Sequence, residues 1–140
     1  MRLLYFHQHF ATPRGASGTR SYEFARALIT RGHQVTIVCG AHAQSGLDLP
    51  YDAERGWHRG DVDGIDVISL PLAYANRDGL IRRGWTFLRF ALRSVRLALQ
   101  LDYDLAFATS TPITAVIPGL AAKWFRGKPF VFEVRDLWPE

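Results

Sequence analysis

The sequence predicts an α/β fold, a doubly wound and mostly parallel sheet with helices on both faces and one β-hairpin. Three observations predict it. Short β-branched runs alternate with longer amphipathic stretches along the whole chain. Gly32 follows the first amphipathic stretch and Pro112 opens the last, where helix ends and starts favour these residues. The 140 residues suit a single domain, long enough to bury about two-thirds of the surface of the unfolded chain.

In order, Leu3 to Phe6 reads as a buried strand, and Thr19 to Arg31 as a helix with Ala25, Leu28 and Ile29 facing inward. Gly32 is placed as a left-handed residue closing that helix, and Val35 to Cys39 is the next strand. Residues 40–56 carry Gly, Pro and polar residues without periodicity and read as a long loop. Trp57 to Gly60 and Ile65 to Leu70 read as a hairpin turning through Asp61-Val62-Asp63-Gly64. A long helix is predicted over Leu80 to Leu101, a strand over Leu105 to Ala108, and a helix over Pro112 to Phe125. Phe130 to Val134 is the last strand, expected at the centre of the sheet.

Composition excludes several classes of function. With 48% apolar and 21% charged residues, disorder is excluded. The single cysteine, Cys39, has no internal partner and is expected to be a buried thiol in a reducing compartment. The opening MRLLYFHQHF is interrupted by His and Gln and is too short for a signal peptide. No stretch approaches the roughly 20 apolar residues of a membrane-spanning helix. A cytoplasmic protein is expected, with peripheral contact to the inner face of the plasma membrane left open.

The loop from His7 to Arg20, HQHFATPRGASGTR, joins the first strand to the first helix. In a doubly wound sheet, ligands bind at the carboxyl ends of the strands, so this loop should edge the active site. Gly15 and Gly18 admit close backbone approach, and the free N–H groups of a helix start suit a phosphate. The loop carries neither G-x-G-x-x-G nor the Gly-Lys-Ser/Thr of a P-loop. Spacing alone therefore favours a plain tight turn. The second strand ends in Cys39-Gly40, where a dinucleotide-binding unit would place an acidic residue, and this argues against a dehydrogenase.

Three ordered segments carry a resemblance: TPRGASGTRSYEFARALITRGHQVTIV, the DVDGIDVISLPL hairpin, and the terminal FEVRDLWPE. Together they resemble glycosyltransferase family 4, of the bacterial cell-surface polysaccharide type, over about half of the chain. The resemblance implies the N-terminal, acceptor-side, Rossmann-like half of a two-domain GT-B fold. It implies transfer of a sugar, with retention, from a nucleotide-sugar donor to a glycan or lipid-linked acceptor. Family members often carry adjacent glycines in the first loop, whereas this loop reads Gly15-Ala16-Ser17-Gly18.

The site residues follow from that resemblance. Gly15, Ala16, Ser17, Gly18 and Thr19 would form the donor-phosphate loop. Asp136 would face the acceptor or donor sugar, and Arg135 would contact a phosphate or an acceptor carboxylate, for which Arg is well suited. These two are the catalytic candidates. Trp138 would stack on a sugar face, and His7, His9, Arg14 and Arg20 complete the acceptor set. Strand alternation sets Glu133 opposite Asp136, which ranks it lower. The protein's part would be electrostatic stabilisation of the leaving phosphate, with no nucleophile evident. His7 and His9 lack a third ligand at suggestive spacing, so no metal or other cofactor is expected.

Arg82, Arg89, Arg93 and Arg96 share one face of the long helix, beside Trp85 and a wide apolar arc. One part of that arc must pack on the sheet, and the combination also suits an anionic membrane surface. Nucleic acid is disfavoured because the aromatics lie opposite the charge and no binding module is recognisable.

The chain ends at Trp138-Pro139-Glu140, just after a strand, without the paired-glutamate donor motif of the family. A missing C-terminal donor-binding domain is expected, and these 140 residues alone are expected not to turn over. The alternatives are one half of a split two-chain transferase, or a non-catalytic Rossmann-like binding or regulatory module.

Overall fold

The computed structural model describes residues 1–8, 10–13, 20–40, 49–71, 79–109 and 113–134. In chain order its elements are β1 (Arg2–Phe6), α1 (Arg20–Thr30), β2 (Gln34–Gly40), β3 (Tyr51–Asp52), β4 (Trp57–Val62), β5 (Ile65–Leu70), α2 (Leu80–Gln100), β6 (Leu105–Thr109), α3 (Val116–Arg126) and β7 (Phe130–Glu133). A short 3-10 turn, Ile113–Ala115, leads into α3. The strands form one sheet in the order β3-β4-β5-β2-β1-β6-β7. It is parallel from β5 to β7 and antiparallel only through the hairpin side, β3-β4-β5. This is the expected α/β class.

Alternation along the strands divides the core into two layers. Leu4, Phe6, Val38, Ile68 and Leu70 point to one face, where Phe90, Leu97 and Ala98 of α2 and Ala122 of α3 cover them. Tyr5, Val35, Ile37, Cys39, Val67 and Phe107 point to the other, covered by Ala25, Tyr22, Leu28 and Ile29 of α1. The inward trio expected on α1 is therefore the one that packs. Gly32, at φ 91°, closes α1 as anticipated, its N–H donating to Ile29 O at 3.0 Å. Gly127, at φ 64°, does the same for α3.

Besides the start of the last helix, expected at Pro112 and found at Val116 after the 3-10 turn, three features differ from the sequence expectation. β4 runs on to Val62, so the hairpin turns through Asp63-Gly64 alone, with Val62 paired to Ile65. Asp63 and Gly64 both have positive φ, 52° and 89°, as a two-residue type I′ turn requires. Tyr51–Asp52, inside the expected long loop, adds a short edge strand against His58 and Trp57. β7 is not central: among the described residues it pairs only with β6, at the sheet's edge. Its inner residues Phe130 and Phe132 pack under α3 while Val131 is exposed, an edge-strand pattern.

Cys39 is fully buried on the α1 face. Burial pushes its thiol up from 9.0 to about 12, with a hydrogen bond to Ser69 working the other way. A thiol held neutral in the folded chain but free to ionise when unfolded contributes stability that is full below pH 9.0 and is lost as pH rises towards about 12. Native protein is expected to react with a thiol reagent only as fast as it unfolds. Cys39→Ala should flatten the alkaline limb of the stability profile. Immediate stoichiometric labelling of the native chain would contradict both expectations.

Candidate active site

The carboxyl ends of the parallel strands gather the polar groups. Immediately after β1, the chain stays inside the protein: His7, Gln8, Phe10, Ala11 and Thr12 are all buried. His7 is held by its backbone, its N–H donating to Val38 O at 3.0 Å and its carbonyl accepting from Phe10 at 3.3 Å. Its Nδ1 lies 2.6 Å from Ser21 Oγ in the first turn of α1, and Ser21 Oγ lies 3.1 Å from the Tyr5 hydroxyl. A buried relay thus links the first strand to the start of the first helix. Such a relay fixes the ring's orientation, because Nδ1 is committed to Ser21.

A second link joins the same helix start to the far edge of the sheet. Arg20 Nη2 donates to Glu133 Oε2 at 2.7 Å, and Thr109 Oγ1 donates to Glu133 Oε1 at 2.7 Å. Both carboxylate oxygens are therefore engaged, one by a cation and one by a hydroxyl, at the ends of β6 and β7. Arg20 follows directly on the glycine-containing loop, and Glu133 lies two residues before Arg135. The Arg20–Glu133 pair therefore brings the attachment points of the two expected site segments together.

Gln8 sits at the same end of β1, only 2% exposed. Its backbone carbonyl accepts from Gly40 N–H at 3.0 Å, but among the described residues neither amide atom of its side chain has a hydrogen-bond partner. A buried amide with both ends unmet is costly, and such groups in native folds call for a reason.

Among the expected site residues, His7 and Arg20 fall at this edge. Gly15, Ala16, Ser17, Gly18, Thr19, His9, Arg14, Arg135, Asp136 and Trp138 lie outside the described residues. Glu133, ranked lower from alternation, proves to be the carboxylate that Arg20 engages. Facing away from the Phe130–Phe132 row sets it towards α1 and the site. Ser21, Thr109 and Gln8 were not anticipated. Their partners are 14 or more residues away, or absent, so no local pattern marks them. Among the described residues, no three His, Cys, Asp or Glu side chains are grouped to hold a metal ion.

In open α/β sheets this edge, at the carboxyl ends of the parallel strands, is where ligands commonly bind. Residues 15–140 match the glycosyl transferase 4-like domain, and the chain belongs to that family. No curated protein matches the sequence. Among solved structures, the C-terminal domain of a hydrogenase from Pyrococcus furiosus is similar in two determinations. Their TM-scores are 0.56 and 0.62 at 19% and 15% identity, over 94% of this chain and 90% of that one. A trehalose-6-phosphate synthase from E. coli, bound with UDP-2-fluoro glucose, is similar with TM-score 0.59 and 11% identity. That match covers 99% of this chain and 34% of the E. coli protein, so this chain spans about a third of its length. At these identities the likenesses establish the α/β fold alone, and the family rests on the sequence match over residues 15–140.

Proposed function

We propose that this chain is the acceptor-side domain of a retaining glycosyltransferase that moves a sugar from a nucleotide-sugar donor to a lipid-linked glycan acceptor in cell-surface polysaccharide synthesis. The observation that carries the reading is the convergence of His7, Ser21, Arg20 and Glu133 on one sheet edge in a member of a transferase family. In this reading the loop Gly15 to Thr19 meets the donor phosphate, Arg135 meets a phosphate or an acceptor carboxylate, and Asp136 and Trp138 meet the sugars. Arg20 and His7 border the acceptor. Donor binding falls mainly to a second domain, so the 140 residues alone bind a nucleotide sugar weakly and do not turn over.

The test is sugar transfer by the protein encoded by the native gene, using labelled nucleotide sugars and a lipid-extracted acceptor pool. His7→Ala and Glu133→Gln are each expected to lower turnover by about a hundredfold. Melting of Glu133→Gln should change little, because the Arg20 end of the pair is exposed and a Gln carbonyl can still accept from Thr109. Full transfer activity in both variants, or no transfer to any lipid acceptor by the wild-type protein, would reject the assignment.

A further inference from the structure

The apolar arc of α2 resolves into two separate rows. One row, Phe90, Ala91, Ser94, Leu97 and Ala98, is buried against the sheet. The other, Ile81, Trp85, Leu88, Leu92, Val95 and Leu99, repeats at intervals of four, three, four, three and four, a continuous stripe along the helix. Every member but Val95 is exposed, Ile81 to 91%, and Leu80 beside it to 84%. Arg82, Arg89 and Arg96 run alongside, all exposed. Arg93, on the flank towards the hairpin, donates instead to Gly56 O at 3.1 Å. The helix contains no acidic residue.

The placement of this stripe is set by the topology. β5 ends at the carboxyl edge of the sheet and α2 runs back towards the start of β6, so the first turns of α2 stand at the same edge as His7, Arg20 and Glu133. There Gly79, Leu80, Ile81, Arg82 and Trp85 line an open apolar groove of about 750 Å³. The most exposed apolar side chains of the helix are thus those nearest the candidate site.

We propose that this face of α2 rests on an anionic lipid bilayer, with its first two turns set deepest, so that the carboxyl edge of the sheet opens at the membrane surface. Charge complementarity selects the occupant. An uninterrupted row of guanidinium groups beside a Trp-containing apolar stripe matches acidic headgroups over acyl chains. A second copy matches poorly, because two-fold antiparallel pairing through the stripe sets the arginine rows against each other with no carboxylate on the helix to offset them. The helix lies on the bilayer and does not cross it: no helix among the described residues is long and apolar enough to span. The proposal extends the lipid-linked reading above but needs no sugar transfer to be true.

Vesicle flotation tests it, with pure phosphatidylcholine set against an equal mixture of phosphatidylcholine and phosphatidylglycerol. The protein is expected to float with the mixed vesicles at low salt, to be released by high salt, and to stay down with neutral ones. Ile81→Ser with Trp85→Ser should lower partitioning by at least about tenfold. Arg82→Glu with Arg89→Glu and Arg96→Glu should lower it by about a hundredfold. Both variants should melt with the wild type, since the changed side chains are exposed. Failure of the wild type to float at low salt would overturn the proposal, as would flotation that neither variant weakens. A dimer in sedimentation that Ile81→Ser with Trp85→Ser dissociates would assign the stripe to a second copy instead.

Discussion

Gly119→Ala is expected to destabilise the protein by about 1–3 kcal/mol, against the usual sign for this change inside a helix. Gly in a helix interior ordinarily costs about 0.5–1 kcal/mol relative to Ala, so the substitution should help wherever there is room. Here there is none. A Cβ on Gly119 would lie 2.0 Å from Cε1 and 2.2 Å from Cζ of Phe130, whose ring rests on the backbone of α3. Phe130 is the first residue of β7, the strand that ends in Glu133, so pushing the ring away also disturbs the carboxylate that Arg20 and Thr109 hold. The urea midpoint should fall for Gly119→Ala, and adding Phe130→Leu should recover part of the loss. An unchanged or raised midpoint in the single variant would show that the helix and strand do not pack this closely.

Gln8→Met is expected to move stability the other way, raising it by about 1–3 kcal/mol, while lowering the proposed sugar transfer about 10- to 100-fold. The exchange keeps the length and unbranched shape of the side chain and removes two buried polar atoms that have no partner among the described residues. A protein keeps such an amide when something outside the fold satisfies it, and a sugar hydroxyl at the carboxyl edge of β1 has the right chemistry. Stability and function then oppose each other at one position. A variant that is less stable and fully active would mean that the amide serves the fold alone.

Much of the fold was legible because it follows from periodicity. α1, β1 and β2 each bury the residues their spacing predicts, and Gly32 takes the backbone conformation its position demanded. α2 was legible as a helix, but not which part of its wide apolar arc packs on the sheet. The hairpin was legible from Asp63-Gly64, but its turn was expected two residues too long. Asp61 and Val62 look like turn residues, yet pair with Asp66 and Ile65 as strand. Tyr51–Asp52 carries no pattern of its own and becomes a strand only by pairing with β4. The last strand is as apolar as a central one, and nothing local says that only one neighbour flanks it. At the site, sequence found the edge and two residues on it, His7 and Arg20. It did not foresee the pairing of Glu133 with Arg20, because alternation gives a side, but not which side meets α1. The Tyr5–Ser21–His7 relay spans 14 to 16 residues of sequence, so it exists only once α1 has folded back over β1.

The position of β1 also sets an order of events during synthesis. Its first partner, β2, begins at Gln34, but its second, β6, begins at Leu105, about 70 residues later. At translation rates of about 5–20 residues per second, β1 would wait roughly 4–14 s with one edge unpaired. In that interval the nascent chain can hold β1, β2 and the β4–β5 hairpin, but nothing covers the open side of the central strand. The bond from Asp104 N–H to Arg2 O, at 2.8 Å, is among the contacts that close it, joining the earliest residues to ones made about 100 residues later. A ribosome-bound chain arrested before Leu105 should therefore be a good substrate for chaperones and proteases, and one arrested beyond Glu133 a poor one.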